Sequence, residues 1–195
     1  MIEFLVDETG SMSSYIGGTI SGFNTFLDEQ KTVPGEARFT LTKFSTYNVV
    51  TPYQDLELSM VQPLSAQTFV PSGGTNLYDT MGARIEAIRQ RIQDWTVQPR
   101  VLFVVLTDGE DNSNHVHRPE VLRTMITGMS AEGWTFVYLG AHGRALQVAH
   151  NLGFHTANVK QFDGRAMHQT MTDLSASTKA YRAGAAQAAQ PGFFS

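Results

Sequence analysis

Asp7, Thr9 and Ser11 stand two residues apart in the stretch Asp7-Glu8-Thr9-Gly10-Ser11-Met12-Ser13, and each offers a hard oxygen donor. One carboxylate and two hydroxyls suit magnesium, manganese or calcium better than zinc or copper, which favour nitrogen and sulfur. Two other stretches carry the same chemistry: Gly73-Gly74-Thr75 and Thr107-Asp108-Gly109. The carboxylates of Asp7 and Asp108 would balance a divalent charge, while the hydroxyls of Thr9, Ser11 and Thr75 would add ligands without adding charge. Magnesium asks for six oxygens at about 2.1 Å, with waters filling vacancies. An ion held this way keeps Lewis acidity toward one more ligand, and a carboxylate from another molecule is the natural one.

Residues about a hundred positions apart meet at one ion only if the fold brings them together. Ile2 to Val6 is an apolar run broken by Glu3 alone, and it stops abruptly at the first acidic turn. Val101 to Leu106 is an unbroken apolar run of strand length, which suits a central parallel strand buried on both faces, and it stops at the second acidic turn. Between them, Ile16, Ile20, Phe23, Phe26 and Leu27 recur at helical spacing to about Gln30. Gly17, Gly18 and Gly22 in that helix would allow a close approach to a sheet. Ala37 to Thr46 and Asn48 to Leu58 read as a strand pair, with Pro52 placing the second at a sheet edge. Residues 59 to 75 are irregular, and Leu77, Met81, Ile85, Ile88 and Ile92 then mark a helix ending near Trp95.

The later chain continues the alternation. Pro119 opens a helix carrying Val121, Leu122, Met125, Ile126 and Met129, and Trp134 to Leu139 is a strand. Ala145 to Leu152 is a short helix stopped by Gly153, Thr156 to Phe162 a last short strand, and Asp163 to about Gln190 a polar, Ala-rich helix. Strands alternating with helices imply a three-layer, doubly wound α/β fold: a mostly parallel, Rossmann-like sheet with one antiparallel edge strand and right-handed crossovers. Both acidic turns then lie at carboxyl ends of parallel strands, where such sheets place ligands.

Composition bounds the function. The chain has 195 residues, 42% hydrophobic and 16% charged, which describes one ordinary folded domain. A net charge of -4 with scattered basic residues argues against nucleic acid or an anionic membrane as partner. The densest basic group, Arg84, Arg89 and Arg91, is expected to be a solvated helix face. With no cysteine there is neither a disulfide framework nor thiolate chemistry. No stretch resembles a secretory signal or a membrane span, so the cytoplasm is the expected compartment.

At this point the residues resemble a known family. The von Willebrand factor A (vWA) domain has a metal-ion-dependent adhesion site written Asp-x-Ser-x-Ser, a distant Thr and a distant Asp. Asp7-Glu8-Thr9-Gly10-Ser11 resembles its opening motif, Thr75 the distant Thr and Asp108 the distant Asp, with Thr9 replacing the usual Ser. The resemblance covers about residues 1–160 of a single domain spanning 1–195, leaving a helical segment over 163–190 and a tail over 191–195. Val137-Tyr138-Leu139-Gly140-Ala141 and Ala180-Tyr181-Arg182 are similar to small stand-alone bacterial and phage proteins of this class. The family implies Ser11, Thr9 and Thr75 as direct ligands, with Asp7 and Asp108 acting through water or by direct contact. It also implies protein recognition in which a partner's Asp or Glu completes the coordination, without catalysis. Magnesium is the expected ion, with manganese or calcium as alternatives.

Other readings of the same residues remain open. Alone, the opening stretch is also a helix N-cap, with Thr9 or Ser11 bonding backbone N–H groups and Asp7 favoured by the helix dipole. A magnesium-dependent phosphatase of the haloacid-dehalogenase type would use Asp7 as nucleophile, but it wants an Asp at position 9 and a phosphate-holding Lys. Glu8, Glu110 and Asp111 are expected to face water. His115 and His117 read as loop histidines lacking a third zinc ligand, and His142 follows a strand at the same sheet edge. Phe193-Phe194 is expected to tuck onto the domain or fray, with a docking tail for a partner as the alternative.

Overall fold

The apolar runs become the strands of one sheet in the computed structural model, which describes residues 1–109, 111, 116–141, 145–163, 166–184 and 192–194. In chain order they are β1 (Ile2–Asp7), β2 (Arg38–Phe44), β3 (Val49–Glu57), β4 (Leu102–Thr107), β5 (Thr135–Ala141) and β6 (Val159–Phe162). The helices are α1 (Ile16–Lys31), α2 (Leu77–Ile92), α3 (Pro119–Ala131), α4 (Ala145–Asn151) and α5 (Met167–Ala183). The sheet order is β3-β2-β1-β4-β5-β6, parallel throughout except for the antiparallel pair of β2 with edge strand β3. The edge position accommodates Pro52, because the missing N–H costs no ladder bond on the open side.

This order has a functional consequence. The chain runs outward from β1 through β2 to β3, then returns to lay β4 on the other flank of β1. The carboxyl ends of β1 and β4 therefore border the topological switch point, where open α/β sheets have a crevice. Val6 pairs with Leu106, so Asp7 and Thr107 follow side by side at the strand ends.

Period-two alternation divides the core into two layers. Phe4, Val6, Val104 and Leu106 face α1 and α5, in a cluster with Phe23, Phe26 and Met171. Leu5, Phe103 and Val105 face the other helical layer, with Met81, Ile85 and Ile126. Strands buried on both sides explain why β1 and β4 read as apolar runs and not as alternating ones.

Three expectations need correction. The glycines of α1 serve a helix and not the sheet: a Cβ on Gly22 would come within 2.6 Å of Met171 Cγ, and one on Gly18 within 3.0 Å of Met167 Cγ. Gly17 has open space around it. The three arginines of α2 do not form one solvated face. Arg84 is only 9% exposed and is bound to Glu3 of β1, because that position of the helix turns onto the sheet. Arg89 is exposed, and Arg91 approaches Asp55 at 3.7 Å. Third, the last helix begins at Met167, with Asp163 before it accepting the Ala166 N–H at 2.8 Å, and residues 185–190 lie outside the described residues. Phe193 is buried beside Tyr181, with its N–H donated to Asn158 Oδ1 at 2.9 Å. Among the described residues, no helix is long and apolar enough to cross a membrane.

Candidate metal centre

Asp7 ends β1 with its side chain fully buried. Its Oδ1 accepts the Thr9 N–H at 2.8 Å, and its Oδ2 accepts the Thr107 hydroxyl from the neighbouring strand at 2.6 Å. These bonds fix the turn that follows. Thr9 has extended backbone, φ -81° and ψ 163°, just before a 3-10 turn over Gly10–Tyr15 that leads into α1. Its side chain makes no cap bond to that turn. The hydroxyls bond one another instead: Thr9 Oγ1 lies 3.1 Å from Ser11 Oγ, which donates to Asp108 Oδ1 at 2.8 Å. The capping alternative therefore fails for the Thr9 hydroxyl, while Asp7 does satisfy a backbone amide of the turn.

Thr75 arrives from a separate segment and is 3% exposed. A Cβ placed on Gly109 would lie 3.4 Å from Thr75 Oγ1, so that hydroxyl sits beside the Asp108-Gly109 turn. Gly73, at φ +73°, takes a left-handed turn that side chains disfavour. It offers its carbonyl to the Gly10 N–H at 2.9 Å. Thr9, Ser11 and Asp108 thus form one linked row of side-chain oxygens, which Asp7 joins through the Thr9 N–H, and Thr75 sits beside the Asp108-Gly109 turn.

The electrostatics are lopsided. Burial pushes the Asp7 carboxyl up to about 6, against the hydrogen bonds from Thr107 and Thr9, and the nearby charge of Asp108 raises it further. Among the described residues, no Lys, Arg or His forms an ion pair with Asp7. Burial also raises the Tyr15 phenol, with contributions from Asp108 and Asp163. Among the described residues, no three His, Asp or Glu side chains converge. The donor set is two carboxylates and three hydroxyls, which fits a hard divalent cation.

The flanking acids have other occupations. The Glu8 carboxylate accepts Lys43 Nζ at 2.8 and 3.1 Å, and Asp111 Oδ2 accepts the Tyr78 N–H in the first turn of α2 at 2.6 Å. His117 lies between Asp79 and Glu86, 3.4 Å from each, and its ring fills the space beside Gly82. Glu110, His115 and His142 lie outside the described residues. Thr107 is the residue that sequence reasoning missed as a partner of Asp7. A hydroxyl directly after an apolar strand run, the place Asp7 holds after its own run, is the local signal; the register that pairs the two is tertiary.

No protein-family model and no curated protein matches this chain. Solved structures do. Proximal thread matrix protein 1 from the mussel byssus aligns at TM-score 0.59 and 16% identity, over 87% of this chain and 44% of that one. The chain thus spans less than half the length of the mussel protein. The vWF domain of the type V pili tip protein Mfa5 from Porphyromonas gingivalis aligns at TM-score 0.64 and 9% identity, over 95% and 97%. The manganese-loaded TRAP protein of Plasmodium vivax aligns at TM-score 0.53 and 14% identity, over 86% and 70%. At such identities the likeness is one of fold: the chain has the three-layer, Rossmann-like α/β fold of a von Willebrand factor A domain, with a mostly parallel sheet and one antiparallel edge.

Proposed function

We propose that this chain is a metal-dependent protein-recognition module. A divalent cation, magnesium in the first instance, is held by Asp7, Thr9, Ser11, Thr75 and Asp108, and an acidic residue of a partner protein completes its coordination. The observation that carries the reading is Asp7: a fully buried carboxylate with no cationic partner among the described residues, joined to a row of hydroxyls and a second carboxylate. Burying such a charge is costly unless a counter-charge arrives. When bound, the ion would supply that counter-charge and a Lewis-acidic position open to a carboxylate. The hydroxyls of Thr9, Ser11 and Thr75 would ligate it, and Asp7 and Asp108 would act through water or directly. Manganese in the Plasmodium vivax TRAP protein supports ion binding as a use of this fold. We take residues 1–195 as one such domain, of the small bacterial or phage type. Without cysteine it suits a reducing compartment such as the cytoplasm.

The phosphatase alternative is not favoured. Position 9 is Thr, and Lys43, beside the motif loop, is taken up by Glu8. Affinity capture of host proteins with Mg²⁺, with chelator, and with Asp108→Ala tests the leading reading. Partners retained only by the wild-type protein with Mg²⁺ are expected; an identical captured set in all three arms sinks it.

A further inference from the structure

Between Met60 and Leu77 the chain forms no helix or strand, yet this stretch must deliver Thr75 beside Asp108. Backbone bonds hang it from its neighbours: the Ser72 N–H donates to Glu8 O at 2.8 Å, and the Thr46 N–H to Gly74 O at 2.8 Å. One fastening is ionic. Glu8, between Asp7 and Thr9, accepts the Val70 N–H on Oε1 at 2.7 Å and Lys43 Nζ on both oxygens. Lys43 Nζ reaches on to Thr68 O at 2.6 Å. The two side chains are 15% and 13% exposed, so the pair escapes the screening that weakens surface ion pairs.

We propose that Glu8 and Lys43 are positioning residues for the candidate metal centre, clamping residues 68–72 so that the Thr75 hydroxyl is held in place before an ion arrives. This rests on the metal reading above. A ligand fixed in advance need not be ordered by the ion, so the clamp raises metal affinity through preorganisation. The charges alone would act differently in the two variants. Removing the Lys43 ammonium leaves Glu8 as an uncompensated anion near the site, which by field alone would tighten cation binding. Loss of positioning weakens it. The sign of the Lys43→Met effect therefore separates the two accounts.

The test is Mn²⁺ binding by titration calorimetry on the full chain. Glu8→Gln and Lys43→Met are each expected to weaken binding about tenfold, the scale of outer-shell changes around metals. In a Thr75→Ala background, the same changes should shift affinity by less than about twofold, because the residue they position is gone. Glu8→Asp keeps the charge but shortens the reach to Val70. It is expected to weaken binding too, and supplies the comparison should either first variant not fold. Unchanged or tighter binding in Lys43→Met or Glu8→Asp, or full additivity with Thr75→Ala, overturns the positioning role. Absence of Mn²⁺ binding by the wild-type chain removes the metal reading, and the positioning role with it.

Discussion

Glu3 and Asp7 sit four residues apart on the same face of β1, and both are buried, at 2% and 0% exposure. Their surroundings are opposite in kind. Glu3 receives the Arg84 guanidinium, at 2.6 Å from Nε and 3.3 Å from Nη2. Asp7 receives one amide and one hydroxyl, and the charge that bears on it is that of Asp108. Burial raises both carboxyls; at Glu3 the guanidinium opposes the rise with a full charge, at Asp7 only neutral donors do. One end of the strand is thus closed by an internal ion pair. In the proposed reading the other is completed by a cation from outside, which would make the carboxyl end the binding end.

The comparison can be broken at either end. Arg84→Met strands Glu3 as a buried charge and should cost about 3–5 kcal/mol, as broken buried pairs do. That lowers Tm by roughly 6–20 °C for a chain of this size, read by thermal unfolding. Mn²⁺ affinity measured well below that Tm should not move; a parallel loss would mean the two ends are coupled. Asp7→Asn should act with the opposite sign on stability. It removes an uncompensated charge, so Tm of the metal-free protein rises by roughly 2–4 °C. Mn²⁺ binding should fall by at least about tenfold, and by more than about 100-fold if Asp7 ligates the ion directly. A drop in metal-free Tm would show that the Asp7 charge is already balanced inside the fold.

Acidity gives a finer test. The folded Asp7 carboxyl, at about 6, lies above its ordinary value of 3.8, so the folded metal-free protein holds the proton more tightly than the unfolded chain does. This group's contribution to stability is therefore complete below about 4 and lost as pH rises to about 6. A divalent cation demands the carboxylate, so its affinity should fall as pH drops below about 6, by up to about tenfold per unit for one proton displaced. Thermal shifts with and without Mg²⁺ from about pH 4 to about pH 8 read both trends, and Asp7→Asn should flatten both. A metal effect independent of pH would exclude Asp7 from the site. The smallest change expected is Thr107→Val. Deleting the hydroxyl bond to Asp7 Oδ2 should cost about 1 kcal/mol of stability and weaken Mn²⁺ binding several-fold.

Much of this was legible in residue types and order. The runs Ile2 to Val6 and Val101 to Leu106 announce buried parallel strands because a strand covered on both faces needs no alternation. The acidic and hydroxyl residues after them name the candidate donors, and Pro52 marks the edge strand. Pairing partners were not legible. Glu3 reads as an interruption, and Arg84 as part of an exposed basic stripe, because nothing local reveals that a long side chain on α2 meets a strand 81 residues earlier. The roles of Thr107 and Glu8 were hidden in the same way: one reads as the first residue of the acidic turn, the other as a solvated loop acid.

By itself the sequence determined what is local: which runs are strands, where turns interrupt them, and which oxygens are available at the turns. These follow from periodicity and donor chemistry within a few residues. Only the tertiary structure decided the order of strands across the sheet, which sets β4 against β1 and puts Asp108 within reach of Ser11. It also decided which buried charge has a partner, Glu3 with Arg84 and Asp7 with none among the described residues. Distance and burial set both outcomes, and they belong to contacts between remote segments, which no local pattern encodes.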